Sequence, residues 1–255
     1  MGVAGKLVQY GKYRSVFKTH KDVELYRQVR DHPERCDGPV PLGIRGIAEP
    51  LLCRPRTMDP ITLWDALYVA YHLPLPSMQV ESVILDLGAN AGYTGASFAT
   101  RFPRARVIAV EMDADNAAVC ARNLAQFGDR VQVIHAGIWS SGGSVSYSGG
   151  NVHDFAIGGG GPSARTAPAM TIDQVMDQAS IAEADYLKMD IEGAEASVLQ
   201  PPISWARRVR NLTLEVHPPA TFDWCREGLA REGFRCTAHP QHPAGMVAIR
   251  QDGRG

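Results

Sequence analysis

The segment Asp86-Leu-Gly88-Ala-Asn90-Ala-Gly92 joins a short apolar run to a helix-like stretch that begins at Tyr93. Glycines at such a junction let the backbone turn sharply and approach a ligand, and a helix starting there offers unpaired N–H groups. A dinucleotide turn would prefer Gly-x-Gly-x-x-Gly to seat a pyrophosphate on those groups. Here an acid precedes the glycines, and Asp86 would repel a diphosphate but suits an amino-bearing ligand. Glu111 closes the next apolar run, where an acid can accept hydrogen bonds from both hydroxyls of a ribose. Together the two acids describe a site for an adenosine with an amino-acid tail, S-adenosylmethionine, with Tyr93 and Met112 as neighbouring contacts. Plain turn chemistry of an α/β protein is the competing reading.

Three further groups of residues fall at the ends of later apolar runs. In His135-Ala136-Gly137-Ile138-Trp139, Ala136 and Gly137 are placed to border the adenine. Trp139 is either a stacking partner for it or a core or lid aromatic. Lys188-Met-Asp190-Ile-Glu192-Gly-Ala-Glu195 crowds three carboxylates into one turn, where they raise one another's proton affinity or bind a cation. Glu192 and Glu195 equally suit the positive end of a helix. Glu215-Val216-His217 follows the next run. Asp190, Lys188 and His217 are the candidate catalytic residues, His217 as a general base more than as a ligand. Asp190 also borders the cofactor, and with Glu215 forms an oxygen-rich pair suited to Mg2+ rather than zinc. His239 and His242 lie among prolines and read as solvated loop.

From Val80 onward, strand-length apolar runs alternate with amphipathic helix-length stretches. This alternation predicts a parallel sheet covered on both faces, of about seven strands, the last two forming an edge hairpin. Residues 1–77 are broken by prolines and read as turns and short helices without a core of their own, one helix placing Ile61, Trp64, Leu67, Tyr68 and Tyr71 at helical spacing after Thr57. Domain boundaries follow: an extension over 1–77 and a cofactor-binding domain over 78–255. Residues 149–168 are rich in glycine and predict a mobile loop.

The chain has 255 residues, 45% hydrophobic and 21% charged, with a net charge of −1, which excludes disorder, fibrous structure and a global nucleic-acid footprint. The charge is uneven: residues 1–56 carry 11 basic and 6 acidic side chains, and the remainder 15 and 21. That basic segment could contact RNA phosphates but lacks interleaved aromatics for base stacking, and a bias of this size suits a solvated face. The longest apolar runs fall short of the roughly 20 residues of a membrane span, and the N-terminus lacks a signal-peptide core, so a cytoplasmic protein is expected. Five cysteines without a Cys-x-x-Cys pair read as reduced thiols.

In this order the motifs resemble the FkbM family of S-adenosylmethionine-dependent methyltransferases. The likeness covers roughly Val80 to His217 and rests on Asp86-x-Gly88-x-Asn90-x-Gly92, on Thr171-Ile172-Asp173, and above all on LKMDIEGAEASVL. It implies the class I methyltransferase fold, Rossmann-like, with seven strands of which the last runs antiparallel. It also implies that Asp86, Gly88, Asn90 and Gly92 line the methionine half of the cofactor, and that Glu111 holds its ribose. The acceptor it implies is a hydroxyl on a sugar or natural product. The extension and the 149–168 segment would select that acceptor, and Trp64 and Tyr68 could cap the site or form a homodimer contact. Competing readings are an RNA or N-methyltransferase, a non-catalytic cofactor-binding protein and a nicotinamide-dependent oxidoreductase.

Overall fold

A computed structural model describes residues 11–148, 156–157 and 165–251. A seven-stranded sheet forms its centre: β3 (Val83–Leu87), β4 (Arg106–Glu111), β5 (Val131–His135), β10 (Ala184–Met189), β11 (Val209–Glu215), β12 (Phe234–Ala238) and β13 (Gly245–Arg250). Their spatial order is β12-β13-β11-β10-β3-β4-β5. β3, β4, β5, β10 and β11 are parallel, and β13 runs antiparallel between β11 and β12. The near-continuous apolar runs VILDL and ADYLKM are buried along their whole length, as strands covered on both faces must be. Asp185 pins the start of β3 to β10 by accepting from the backbone N–H groups of Glu81 and Ser82 at 3.0 and 2.6 Å.

Helices α3 (Tyr93–Arg101), α4 (Ala114–Leu124), α5 (Ile172–Gln178), α6 (Glu195–Val198) and α7 (Phe222–Arg231) connect the strands. Within the stretch AEASVLQ, α6 has only four residues. Asp113 caps α4 by accepting from the N–H groups of Asp115 and Asn116, and Thr171 with Gln174 forms a capping box on α5.

The N-terminal region contributes α1 (His20–Asp31), the hairpin β1 (Val40–Leu42) with β2 (Leu51–Cys53), and α2 (Asp59–Trp64), which runs into a π-helical turn, Asp65–Val69. It shares one apolar cluster with the body, in which Phe17, Tyr26, Leu51 and Leu63 pack with Ala91, Tyr93, Cys120 and Leu124. The expected apolar stripe is corrected here. The turn ends at Ala70, whose φ of 57° is left-handed, so Tyr71 leaves the helix. Leu63 and Ala66 form the buried face, whereas Ile61 and Tyr68 are exposed.

A second, four-stranded sheet, unforeseen in the sequence, has the order β6-β9-β7-β8: β6 (Gly137–Ile138), β7 (Gly143–Ser148), β8 (Ala156–Ile157) and β9 (Arg165–Met170). The loop expected over 149–168 is therefore interrupted by β8 and ended by β9. Its remaining residues, 149–155 and 158–164, lie outside the described residues. Here the polar, small-residue strand β7 finds its stability in pairing with β9, and Val145, Tyr147, Ala167 and Ala169 bury one face.

Candidate active site

The sheet reverses its winding direction between β3 and β10, and a cleft opens there at the carboxyl ends of the strands, where ligands bind in open α/β sheets. Its floor is the turn after β3. Gly88 sits at φ +79°, and a Cβ there would stand 1.8 Å from the carbonyl oxygen of Asp190, so only glycine lets the β3 and β10 tips meet. Gly92 starts α3 at φ +85°. Between them Asn90 donates its backbone N–H to Glu111 Oε2 at 2.8 Å, while Glu111 Oε1 accepts the N–H of Asp113 at 2.8 Å. Each Glu111 oxygen keeps a second acceptor site for a diol. Burial raises the Glu111 pKa, and the two backbone donors work against that rise.

The opposite end is charged. Lys188, buried, donates to the Gly88 carbonyl at 2.7 Å, with Asp190 at 3.4 Å and Asp86 at 3.6 Å. Burial opposes its charge, but Asp190, Asp86 and Glu215 outweigh that and raise its pKa. Asp86 itself is fully buried and bonded to Thr94 at 2.6 Å, beneath the cleft rather than in its lining. Lys188 thus stands where a ligand's amino group was expected to meet Asp86.

Beside Asp190, His217 is surrounded by carboxylates. Its Nδ1 lies 3.0 Å from Glu195 Oε1, and its Nε2 lies 3.7 Å from both Glu192 and Glu215 and 4.0 Å from Asp190. Glu195 is fully buried and accepts the backbone N–H groups of Ile191 and Gly193 at 3.2 and 2.9 Å, so it orients the ring as well as closing the turn. The hydrogen bond to Glu195 is the main reason the imidazole pKa is pushed up to about 9, with burial opposing. At neutral pH His217 is therefore an imidazolium donor and not the free base its position suggested. Asp190, Glu192 and His217 each offer a ligand atom within 4.8 Å of the others. Glu215 is instead drawn towards Tyr71, whose hydroxyl donates to Glu215 Oε1 at 2.8 Å. A cation held by the trio would require His217 to lose its proton.

The N-terminal region forms the remaining wall, through Met58, Ile61, Thr62, Asp65 and Tyr71. Tyr71 stacks on His242 with ring centroids 4.4 Å apart, and His239 meets it edge-on. The solvated-loop reading of the two histidines is corrected: His239 is buried and His242 half-buried, because the hairpin between β12 and β13 folds against Tyr71. Burial and the Glu215 carboxylate raise the Tyr71 pKa, leaving it a hydrogen-bond donor.

Of the residues singled out in the sequence, Gly88, Asn90, Tyr93, Glu111, Met112, Ala136, Gly137, Lys188, Asp190, Glu215 and His217 border this one cleft. Tyr93 does so from its base, its hydroxyl 2.7 Å from the Leu52 carbonyl and 3.0 Å from Asp59 Oδ2. Asp86, Gly92 and Trp139 stand outside the lining, and Trp139 packs on the second sheet. Sequence reasoning missed Asp65 and Tyr71 as cleft residues and Glu195 as the partner of His217, and it named Glu192 only as one of the crowded carboxylates. The crowding of acids in 188–195 was the one available signal for two of them.

The residues present fit an adenosine with an amino-acid tail. Glu111 offers paired acceptors for a diol, and the adjacent cation and anion, Lys188 and Asp190, complement a zwitterion at the other end. Six strands running in one direction, with the antiparallel β13 inserted before the edge strand β12, and a cleft at the winding reversal define the class I, Rossmann-like methyltransferase fold. The methyltransferase FkbM domain matches residues 86–249. The chain belongs to that family.

A ribosomal RNA small subunit methyltransferase H of Leifsonia xyli subsp. xyli is 32% identical over 82 residues, 28% of this chain and 25% of that protein. The chain thus spans about a quarter of that relative's length. Among solved structures, precorrin-6y C5,15-methyltransferase of Geobacter metallireducens is similar with a TM-score of 0.44 and 14% identity, covering 75% of this chain and 86% of its own. The pre-rRNA processing protein fibrillarin of Methanococcus jannaschii has a TM-score of 0.45 and 12% identity, covering 74% and 76%. Among the described residues no helix is long and apolar enough to cross a membrane.

Proposed function

We propose that the protein methylates a hydroxyl of a small, uncharged or cationic acceptor, a sugar or natural product, bound between the N-terminal wall and the tips of β10 and β11. One observation carries this reading. Among the described residues, the acceptor end gathers Asp65, Asp190, Glu192 and Glu215 around two cations, Lys188 and His217, beside the apolar Met58 and Ile61. Such a field repels phosphorylated acceptors and tolerates a polyol or an amine.

S-adenosylmethionine, when bound, supplies a methyl group that is already electrophilic. The task left to the chain is alignment of the acceptor oxygen and removal of its proton. Asp190 and Glu215 are the groups placed for the proton. Burial first and the neighbouring Asp190 charge second raise the Glu215 pKa, which strengthens it as a proton acceptor. His217, protonated, donates, and Tyr71 holds Glu215 in place. The cation trio of Asp190, Glu192 and His217 is a separate route in which Mg2+ would lower the acceptor's pKa.

Calorimetry with S-adenosylhomocysteine, with NADH as control, tests the cofactor. Release of S-adenosylhomocysteine against a panel of hydroxylated small molecules tests the reaction. At saturating cofactor, Asp190→Asn should lower turnover by about 10²–10⁴-fold, and EDTA should leave the parent rate unchanged. Unchanged turnover in the variant removes Asp190, and a rate lost to EDTA and restored by Mg2+ selects the metal route. An RNA acceptor is favoured by the ribosomal RNA methyltransferase relative and the basic N-terminal segment. Methyl incorporation into bulk RNA that falls steeply with salt would select it.

A further inference from the structure

A second cavity, of about 250 Å³, lies on the far side of the π-helical turn, between the N-terminal region and α3. Its lining is Ser15, Val16, Ile44, Arg45, Ile47 and Leu67, together with Ser97, Thr100 and Arg101 of α3, and none of these is acidic. Arg45 donates through Nε to the carbonyl of Arg14 at 2.7 Å. Neither Arg45 nor Arg101 reaches a carboxylate among the described residues, in contrast to Arg54 with Asp59 and Arg208 with Asp173. Ser97 supplies an independent observation. It is 2% exposed, and its Oγ has no hydrogen-bond partner. A buried hydroxyl left unpaired is costly, and such groups in folded proteins call for a partner.

We propose that this cavity binds a phosphate group, with the guanidinium groups of Arg45 and Arg101 as counter-charges and Ser97 Oγ as a neutral donor. Arginine forks match the oxygen spacing of phosphate and form short, charge-assisted bonds to it. Val16, Ile44, Ile47 and Leu67 supply apolar walls beside the two guanidinium groups. Occupancy has a structural consequence. Leu67 lines this cavity while its neighbours Asp65 and Ala66 line the cleft, and Ser97 and Arg101 belong to the helix that begins at the cofactor turn. A phosphate bridging Arg45 and Arg101 therefore clamps the N-terminal region to α3 and braces the acceptor wall. It binds the folded state only, so it stabilises the chain by linkage.

The test is calorimetry and thermal unfolding with inorganic phosphate at constant ionic strength, on the full chain, with glycerol phosphate as an esterified probe and a short single-stranded RNA as a polyanion. The parent should bind phosphate saturably and unfold at a higher temperature in its presence. Arg45→Gln and Arg101→Gln should each weaken binding by about tenfold or more, as expected for loss of a charge-assisted bond. Both residues are exposed, so the variants should fold and keep the parent's affinity for S-adenosylhomocysteine. Ser97→Ala should be as stable as the parent, or more so, without phosphate and gain less from it, a reversal that a purely structural serine would not give. Tighter binding of glycerol phosphate than of the free ion would assign the phosphate to a larger metabolite. A shift with chloride as large as with phosphate, equal phosphate binding in the arginine variants, or binding of the RNA alone would overturn the proposal.

Discussion

The two halves of the cleft are built differently. The cofactor half is made by the backbone: Gly88 and Asn90 turn with positive φ, and Glu111 is held by the backbone N–H groups of Asp113 and Asn90, 2 and 21 positions away. The acceptor half is made by side chains from distant segments, such as Tyr71 on Glu215, 144 positions apart, and Glu195 on His217. Backbone geometry tolerates almost no substitution, whereas a side-chain wall can be refitted while the turn below stays intact. One cofactor site can thereby serve different acceptors.

The sharpest way to break the contrast is Gly88→Ala. With the new Cβ 1.8 Å from the Asp190 carbonyl, the tips of β3 and β10 must separate. Destabilisation by about 4 kcal/mol or more is expected, with loss of S-adenosylhomocysteine binding; thermal unfolding and calorimetry read both. Next in size is the His217 charge. Its pKa in the folded chain is about 9, raised chiefly by Glu195 above the ordinary 6.5. The stabilisation it gives is fully present below about pH 6.5 and is lost as pH rises through about 9. The unfolding temperature should fall across that window, and Glu195→Gln should move the imidazole titration, followed by NMR, down towards 6.5 and flatten the fall.

Smaller effects separate the halves. Tyr71→Phe removes one hydrogen bond to a carboxylate, so stability should drop by about 1–2 kcal/mol. Turnover should drop several-fold while affinity for S-adenosylhomocysteine stays at the parent value, as measured by kinetics and calorimetry side by side. A loss of cofactor affinity in this variant would show that the halves are coupled. The smallest change is expected at Trp139→Phe. Trp139 packs on the second sheet and outside the cleft, so cofactor affinity should stay within about 0.5 kcal/mol. A larger loss would restore this residue to the adenine's surroundings.

The contrast also accounts for what was legible beforehand. The strand–helix alternation, the seven strands and the glycine turn are local patterns of period and residue type, which a linear sequence displays directly. Asp190, just past β10, and Glu111, the last residue of β4, were recognisable because the carboxyl ends of parallel strands lie at the sheet's working edge. The second sheet was not legible, because β7 and β9 carry serine, glycine and proline and become strands through pairing with each other.

The amino-acid sequence by itself determined the class of fold, the family and the backbone of the cofactor turn, since each depends on residues adjacent in the chain. Only the tertiary structure decided the protonation of His217, the displacement of Asp86 from the cleft by Lys188, and the arrival of Tyr71 and His242 at the acceptor wall. Each of these depends on burial and on charges brought within a few ångströms by chain segments far apart in sequence. Electrostatic energy follows separation in space and the surrounding dielectric, neither of which spacing along the chain can specify.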